Sequence, residues 1–161
     1  TGEEPYTLSI ILQEMLDNPE EWEIEILATD INTQVLHSAK VGLYESRSVK
    51  DVPPEYLEKY FTKKQNKYLI NLNARRPVSF KRVNLMDETE MSNISGCDFI
   101  FCRNCLIYFD DESRRSVMSR FYHALNPEGF IFLGHSESVG RISSAYKMQR
   151  IGNTIVYSRP K

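Results

Sequence analysis

Residues 98–104 of the chain read Asp-Phe-Ile-Phe-Cys-Arg-Asn, in which an uninterrupted apolar run follows Asp98 and ends abruptly in two polar side chains. The run has the length of a strand, and its lack of polar alternation predicts a strand buried on both faces. Strands of that kind belong to parallel sheets covered by helices. The stretch therefore predicts an α/β domain, with Arg103 and Asn104 at the carboxyl end of one of its strands.

The residues after this run alternate between helical and extended patterns. Apolar residues at helical spacing predict an amphipathic helix from Asp110 to Asn126, which the sequence Asn-Pro-Glu-Gly ends. A strand is predicted at 130–133, and a closing hairpin at 146–158 turns at Gly152-Asn153. The carboxyl-terminal edge of the sheet should therefore be antiparallel.

The residues before the run follow the same alternation. They predict a helix from Glu3 to about Asp17, a strand at 24–29, and a second helix at about 33–41 that Asn32 caps. Further predictions are less regular: a short helix opened by Pro53-Pro54 through Tyr60, an exposed turn at 63–67, and strands at 68–70 and 78–83. The pattern predicts one three-layer α/β domain with a mainly parallel sheet.

Composition narrows the possible functions. The 161 residues carry 20 Lys and Arg against 22 Asp and Glu, a net charge of −2, so the basic excess expected of a nucleic-acid-binding protein is absent. No apolar run reaches the roughly 20 residues of a membrane span. Three cysteines, an odd count, disfavour a disulfide framework and suit the reducing cytoplasm. No grouping of ligand-type residues predicts a metal site.

Polar residues follow four of the predicted strands. In open α/β sheets, ligands bind beyond the carboxyl ends of the strands, which draws attention to Asp30, Asn84, Arg103-Asn104 and His135–Glu137. A carboxylate at the position of Asp30 can accept hydrogen bonds from both hydroxyls of a ribose. The alternative is that Asp30 caps the helix that follows, and spacing alone leaves both interpretations open.

Several strings of the sequence resemble those of the CheR-type chemoreceptor glutamate methyltransferases. The matching strings lie at 2–8, 28–31, 42–44, 84–85, 101–109 and 134–138. They occur in the family's order and cover nearly the whole chain; Gly-Glu-Glu-Pro-Tyr at 2–6 and Phe-Cys-Arg-Asn at 101–104 are the most specific. The resemblance implies a Rossmann-like fold, S-adenosylmethionine as the cofactor with S-adenosylhomocysteine as product, and methylation of glutamate carboxylates on methyl-accepting chemotaxis receptors.

The resemblance also implies site residues. Those expected to contact the cofactor are Glu4, Asp30, Asn84, Leu85, Cys102 and Arg103. Arg103 and Tyr108 are expected to lie nearest the transferred methyl group and the incoming carboxylate. A planar guanidinium holds a carboxylate through paired donors, and a hydroxyl can orient it. The acceptor is already ionised at neutral pH, so that alignment rather than a strong base is required.

Each of these residues also has a simpler interpretation. Arg103 can form a structural salt bridge with Asp110 or Glu137, and Tyr108 can be a core residue. Glu3 and Glu4 can be first-turn acids that favour a helix amino terminus, and the sequence does not decide which of the two faces a ligand. His135 and Glu137 are expected to shape the rim of the pocket.

Cys102 and Cys105 spell a C-x-x-C sequence, which is typical of redox pairs at the start of a helix. The pair is an unfavourable redox candidate because Cys102 ends a buried run instead of opening a helix.

The chain departs from the family at two places. It begins inside the glycine-rich turn, of which Gly2 remains, and the first strand expected before that turn is missing. We therefore expect an amino-terminally incomplete catalytic domain over 1–161, with the strand supplied by an upstream segment or a second chain. The alternative function is a catalytically degenerate module that holds cofactor or receptor.

Residues 61–80 occupy the place of a small β-subdomain that some family members insert to bind a receptor tail. This stretch is locally basic and contains no glycine. Its charges indicate either a solvated face or an electrostatic dock for acidic receptor helices.

Overall fold

The computed structural model describes residues 1–134, 137 and 143–161, so the predictions for His135 and Ser136 fall outside the described residues. The chain divides into two compact units, Thr1–Val83 and Asn84–Lys161. Each unit combines helices with at least one pair of parallel strands.

The first unit contains most of the short elements. Its helices and strands are α1 (Glu3–Met15), β1 (Ile26–Asp30), α2 (Thr33–Val41), β2 (Leu43–Glu45), α3 (Pro54–Tyr60), β3 (Phe61–Lys64), β4 (Lys67–Ile70), α4 (Leu72–Arg75) and β5 (Val78–Arg82). Short 3₁₀ helices lie at Pro19–Glu21 and Ser46–Ser48. The predicted helices at 3–17, 33–41 and 54–60 are confirmed, with α1 ending two residues early.

Strands β1 and β5 form a parallel pair in the first unit. Their register runs from Ile26 opposite Val78 to Asp30 opposite Arg82, so both strands end at the same level. Among the described residues β1 pairs with β5 alone. The additional strand that the sequence predicts upstream stays a prediction.

A separate antiparallel sheet in the first unit has the order β2-β4-β3. The turn predicted at 63–67 is shorter than expected, since Lys63, Lys64 and Lys67 lie in the strands and only Gln65 and Asn66 form the turn. Gln65 takes the left-handed conformation, with φ of 54°, that a glycine would ordinarily supply. Charged residues occur in these strands because one face of an antiparallel sheet can stay in water.

The core of the first unit is built from aromatic and aliphatic side chains. The buried cluster consists of Tyr6, Ile10, Tyr44, Val49, Tyr60, Ile70 and Ala74. Tyr6 and Tyr44 meet edge to face with ring centroids 6.4 Å apart, a favoured aromatic geometry. The amino-terminal helix is thereby fixed on the small antiparallel sheet.

The described residues of the second unit form one mixed sheet, two α-helices and a short 3₁₀ helix. Its elements are α5 (Glu88–Ser92), β6 (Cys97–Cys102), a 3₁₀ helix at Leu106–Tyr108, α6 (Asp111–Ala124), β7 (Leu125–Leu133), β8 (Lys147–Ile151) and β9 (Thr154–Ser158). The strand order is β6-β7-β9-β8, with β6 and β7 parallel and the other pairs antiparallel. The predicted long helix and carboxyl-terminal hairpin are confirmed.

One face of β6 differs from the prediction of burial on both faces. Phe99 and Phe101 are 57% and 37% exposed, so the prediction is wrong for that face. Their rings pack on the neighbouring strand, where Phe101 stacks on Phe132 with centroids 4.6 Å apart. Cross-strand aromatic stacking therefore stabilises this face without full burial.

No helix within the described residues is long and apolar enough to cross a membrane.

The cap of α2 gives a test of the first unit. The side-chain oxygen of Asn32 accepts hydrogen bonds from the N–H groups of Gln34 and Val35, and Asn32→Ala removes both. We expect a loss of about 1 kcal/mol in the free energy of unfolding, measured by urea denaturation. Asn32→Ser keeps a capping oxygen and should restore most of the loss. An alanine variant as stable as the parent would contradict the assignment of this cap.

Candidate functional site

Asp30 ends β1 and is half-buried. Its Oδ1 accepts a hydrogen bond of 2.8 Å from the backbone N–H of Asn32, while Asn32 itself caps α2. The alternative that Asp30 caps the helix is therefore wrong. Because one carboxylate oxygen holds the turn, the other is left to accept hydrogen bonds from a ligand such as a ribose diol.

The start of α1 depends on the close approach of Gly2 to two other elements. Gly2 has φ of 98°, and a Cβ atom there would lie 2.8 Å from the Tyr44 hydroxyl and 3.0 Å from the Ala39 Cβ. Only glycine meets both demands. The Tyr44 hydroxyl donates to the Thr1 carbonyl at 3.3 Å, and burial raises the pKa of this hydroxyl, which keeps it a donor. The residue that the sequence marks as a remnant of a glycine-rich turn is thus required by the local packing.

The two acidic residues at the start of α1 differ in their contacts. Glu3 accepts a hydrogen bond of 2.5 Å from the Thr1 hydroxyl. Glu4 is exposed and has no hydrogen-bond or ion-pair partner within the described part of the chain. Of the two, Glu4 therefore has the carboxylate available for a ligand.

Asn84 and Leu85 lie in a turn at the start of the second unit. The Asn84 Oδ1 accepts from the Met86 N–H at 3.0 Å, and its carbonyl accepts from the Asp87 N–H at 2.9 Å. The side-chain oxygen of Asn84 is thus committed to the turn. Its Nδ2 remains a donor, while Leu85 is half-buried beside it.

Two residues hold this turn from a distance, and the sequence analysis missed both. Glu90 Oε2 accepts from the Asn84 N–H at 2.6 Å, and Arg120 Nη1 donates to the Leu85 carbonyl at 2.9 Å. Glu90 lies six residues away and Arg120 lies on α6, 35 residues away. Neither Glu90 nor Arg120 belongs to a sequence motif, so these contacts become evident only in the folded structure.

Arg103, Asn104 and Tyr108 follow β6. Arg103 is exposed, forms no ion pair with Asp110 or Glu137, and has no partner among the residues that the structure describes. Tyr108 ends the 3₁₀ helix and is 84% exposed, so its interpretation as a core residue is wrong. A guanidinium and a phenol are therefore both free to contact an incoming group.

Cys102 is buried and Cys105 is half-buried, and neither forms a disulfide. Cys102 is the last residue of β6 and does not open a helix. This is the setting that disfavours a redox pair, because no helix amino terminus stabilises its thiolate.

The expected site residues are distributed over both units. The first unit holds Glu4 and Asp30. The second unit holds Asn84, Leu85, Cys102, Arg103 and Tyr108. Within the described ranges, no group of three or more His, Cys, Asp or Glu residues is placed to hold a metal ion.

The fold has counterparts among solved methyltransferases. The rRNA methyltransferase aviRa from Streptomyces viridochromogenes matches 98% of this chain and 72% of its own with a TM-score of 0.54 and 14% identity. The methyltransferase domain of bacterial CtHen1-C matches 96% of this chain and 84% of its own, with a TM-score of 0.50 and 14% identity. The fold is therefore the Rossmann-like fold of S-adenosylmethionine-dependent methyltransferases.

The family follows from the sequence. The model of the CheR methyltransferase SAM-binding domain matches residues 1–155, and the chain belongs to this family. The chain is 43% identical to chemotaxis protein methyltransferase 2 of Vibrio cholerae over 99% of its length and 56% of the relative's. It is 36% identical to the chemotaxis protein methyltransferase of Borreliella burgdorferi over 86% of its length and 50% of that relative's. The chain thus spans about half the length of these relatives, and the resemblance and the cofactor S-adenosylmethionine are confirmed.

The contact of Arg120 can be tested by its removal. Arg120→Ala leaves the Leu85 carbonyl without its charged donor, and we expect a loss of about 1–2 kcal/mol in the free energy of unfolding. Backbone amides of the 84–87 turn should also exchange faster with deuterium. The control is Arg115→Ala, an exposed arginine on the same helix. Equal stability and exchange in the two variants would show that Arg120 does not hold the turn.

Proposed function

We propose that this chain is the cofactor-binding part of an enzyme that transfers a methyl group to glutamate side-chain carboxylates of chemotaxis receptors. The products are a glutamate methyl ester and S-adenosylhomocysteine. The observation that carries the proposal is the exposed Arg103, a cation that has no partner among the described residues and directly follows strand β6 of a CheR-family domain. The family's curated members named chemotaxis protein methyltransferase support it.

The side chains expected to hold the cofactor suit its chemistry. Bound S-adenosylmethionine supplies a methyl group activated by a sulfonium. Asp30 offers a free carboxylate oxygen for the ribose, and Glu4 an unpaired carboxylate for the ammonium of the amino-acid end. Asn84 retains an amide donor. Leu85 offers an apolar side chain, and the backbone of Cys102 and Arg103 offers peptide groups, to the rest of the cofactor.

The acceptor side requires binding and alignment. A glutamate carboxylate is ionised near neutral pH and is already a nucleophile, so that no residue has to remove a proton from it. We assign Arg103 the role of holding this carboxylate through paired N–H donors, and Tyr108 the role of orienting it by a hydrogen bond. With S-adenosylmethionine bound, Arg103 and Tyr108 would align a carboxylate oxygen with the methyl group that the cofactor supplies, and transfer would leave S-adenosylhomocysteine.

Residues 61–80 have a separate role in the proposal, as a β-subdomain inserted in the catalytic domain. Their strands β3 and β4 join β2, and a groove of about 820 Å³ beside them is lined by Lys63, Lys64 and Lys67 together with Glu45 and other residues. Lys67 is paired with Glu45 at 2.8 Å, which leaves the other two lysines as exposed cations. Such a surface favours acidic receptor segments.

A cytoplasmic location completes the proposal. None of the three cysteines forms a disulfide, which agrees with a reducing compartment. The alternative of a catalytically degenerate module is not favoured, because Arg103 and Tyr108 are both available for catalysis and the relatives are named as methyltransferases.

The role of Asp30 is tested by a substitution that spares the turn. Asp30→Asn keeps an Oδ1 acceptor for the Asn32 N–H but replaces the free oxygen with an amide donor. We expect S-adenosylhomocysteine to bind about tenfold more weakly, a change of about 1.4 kcal/mol, in calorimetric titration of the full chain. The control is Asp17→Asn, an exposed carboxylate of the same unit. Unchanged affinity in Asp30→Asn would remove Asp30 from the cofactor site.

The role of Arg103 is tested by methyl transfer. Arg103→Ala removes the donors for the acceptor carboxylate, and we expect transfer to fall by a factor on the order of 10² or more. Binding of S-adenosylhomocysteine should fall only partially. The assay follows labelled methyl groups from S-adenosylmethionine into receptor, with Arg115→Ala as the matched control. Transfer at the parent rate in Arg103→Ala would exclude Arg103 from the reaction.

A further inference from the structure

The Glu137 carboxylate accepts hydrogen bonds from three backbone N–H groups. Its Oε2 accepts from the Gly134 N–H at 2.7 Å and from the Asn104 N–H at 3.0 Å. Its Oε1 accepts from the Cys105 N–H at 3.0 Å. The Glu137 N–H in turn donates to the Gly134 carbonyl at 3.0 Å. One carboxylate therefore ties the turn after β6 to the end of β7.

The turn that Glu137 holds is conformationally unfavourable by itself. Asn104 has φ of 57°, in the left-handed region that residues other than glycine seldom adopt. Such a conformation persists only where the surrounding contacts determine it. Hydrogen bonds from N–H groups to an ionised acceptor are among the strong ones, and Glu137 provides them at Asn104 and at the next residue.

The end of β7 is shaped to admit this carboxylate. A Cβ atom on Gly134 would lie 2.7 Å from Glu137 Oε2 and 2.9 Å from Asn104 Oδ1. Any side chain at this position would displace the carboxylate. Glu137 thus supplies the hydrogen-bond acceptor, and Gly134, which has no side chain, leaves the space that the carboxylate occupies.

We propose that Glu137 is a positioning residue. It fixes the backbone of Asn104 and Cys105, the two residues after Arg103, and so holds Arg103 in place to bind the acceptor carboxylate. Arg103 immediately precedes the clamped Asn104 and makes no ion pair with Glu137. The carboxylate therefore acts through the backbone and leaves the guanidinium charge free. This inference rests on the proposed function, since it assigns Arg103 the binding of the acceptor carboxylate.

The experiment compares Glu137→Gln with Glu128→Gln in the full chain. Glutamine offers one neutral acceptor oxygen in place of two charged ones, whereas the Glu128 side chain only pairs with Lys161 at 3.6 Å on the surface. Displacement of a binding group by ~1 Å lowers rates by up to 10²-fold. Because Glu137→Gln should displace Arg103 slightly, we expect kcat for methyl transfer to receptor to fall about tenfold. The affinity for S-adenosylhomocysteine should change by less than about threefold, and Glu128→Gln should match the parent.

Two further readouts distinguish positioning from a general loss of structure. The amide protons of Asn104, Cys105 and Gly134 should move upfield in the NMR spectrum of Glu137→Gln, since a charged acceptor is lost. In the Arg103→Lys background, Glu137→Gln should lower kcat by less than about threefold, because the effects of substitutions at residues that act together are not additive. Rates are measured well below the melting temperature of every variant, and Glu137→Asp replaces Glu137→Gln if the latter does not fold.

The outcomes separate the two proposals. A tenfold fall that depends on Arg103 supports the positioning role. An active parent with equal kcat in Glu137→Gln, or an equal effect in the Arg103→Lys background, overturns the positioning role alone. A parent that transfers no methyl group to receptor, even when extended by the upstream strand that the sequence predicts, overturns the proposed function and the positioning role together.

Discussion

Parallel pairing of strands determines where the candidate site residues of this chain lie. In the first unit Asp30 ends its strand level with Arg82, and in the second Cys102 ends its strand level with Leu133. Parallel strands that start in register also end in register, so the polar residues that follow them collect at one edge of each sheet. In β6 and β7 the residues before these ends, 99–101 and 130–132, are apolar. Asp30 and Arg103 accordingly lie where a strand gives way to a turn.

Those turns place two demands on the same side chains. Asp30 and Asn84 each use one oxygen to close a local turn, through the N–H groups of Asn32 and Met86. Each retains a second polar atom for a ligand. This double use makes a functional and a structural interpretation compatible, and it explains why spacing alone could not choose between them for Asp30. It also holds the free atom in a fixed direction, because the bonded atom restrains rotation of the carboxylate or amide.

The sequence predicted local features well and distant ones poorly. Helix α2 was predicted over its observed range because the residue that caps it, Asn32, is a local signal. The exposure of Phe99 was not predictable. An apolar run indicates a buried strand, but it does not indicate which face of the strand other elements cover. The contacts of Glu90 and Arg120 with the 84–87 turn depend on the tertiary fold, and a charged residue on a helix carries no signal of such a partner. The sequence marked Arg103 by its position after a predicted strand, whereas Tyr108 and the roles of both residues came from the family resemblance, which composition and periodicity could not supply.

The charges around the end of β6 follow from the chemistry proposed for the acceptor. A carboxylate acceptor needs a cation that is not already neutralised, and Glu137, whose carboxylate binds this turn, would neutralise Arg103 if the two paired. Glu137 instead accepts hydrogen bonds from N–H groups of the backbone, which carry only partial charges. The negative charge is thereby stabilised without reducing the attraction of Arg103 for an anion. Glu137 thereby stabilises a turn in which Asn104 adopts a left-handed conformation, while the Arg103 cation stays available to the acceptor.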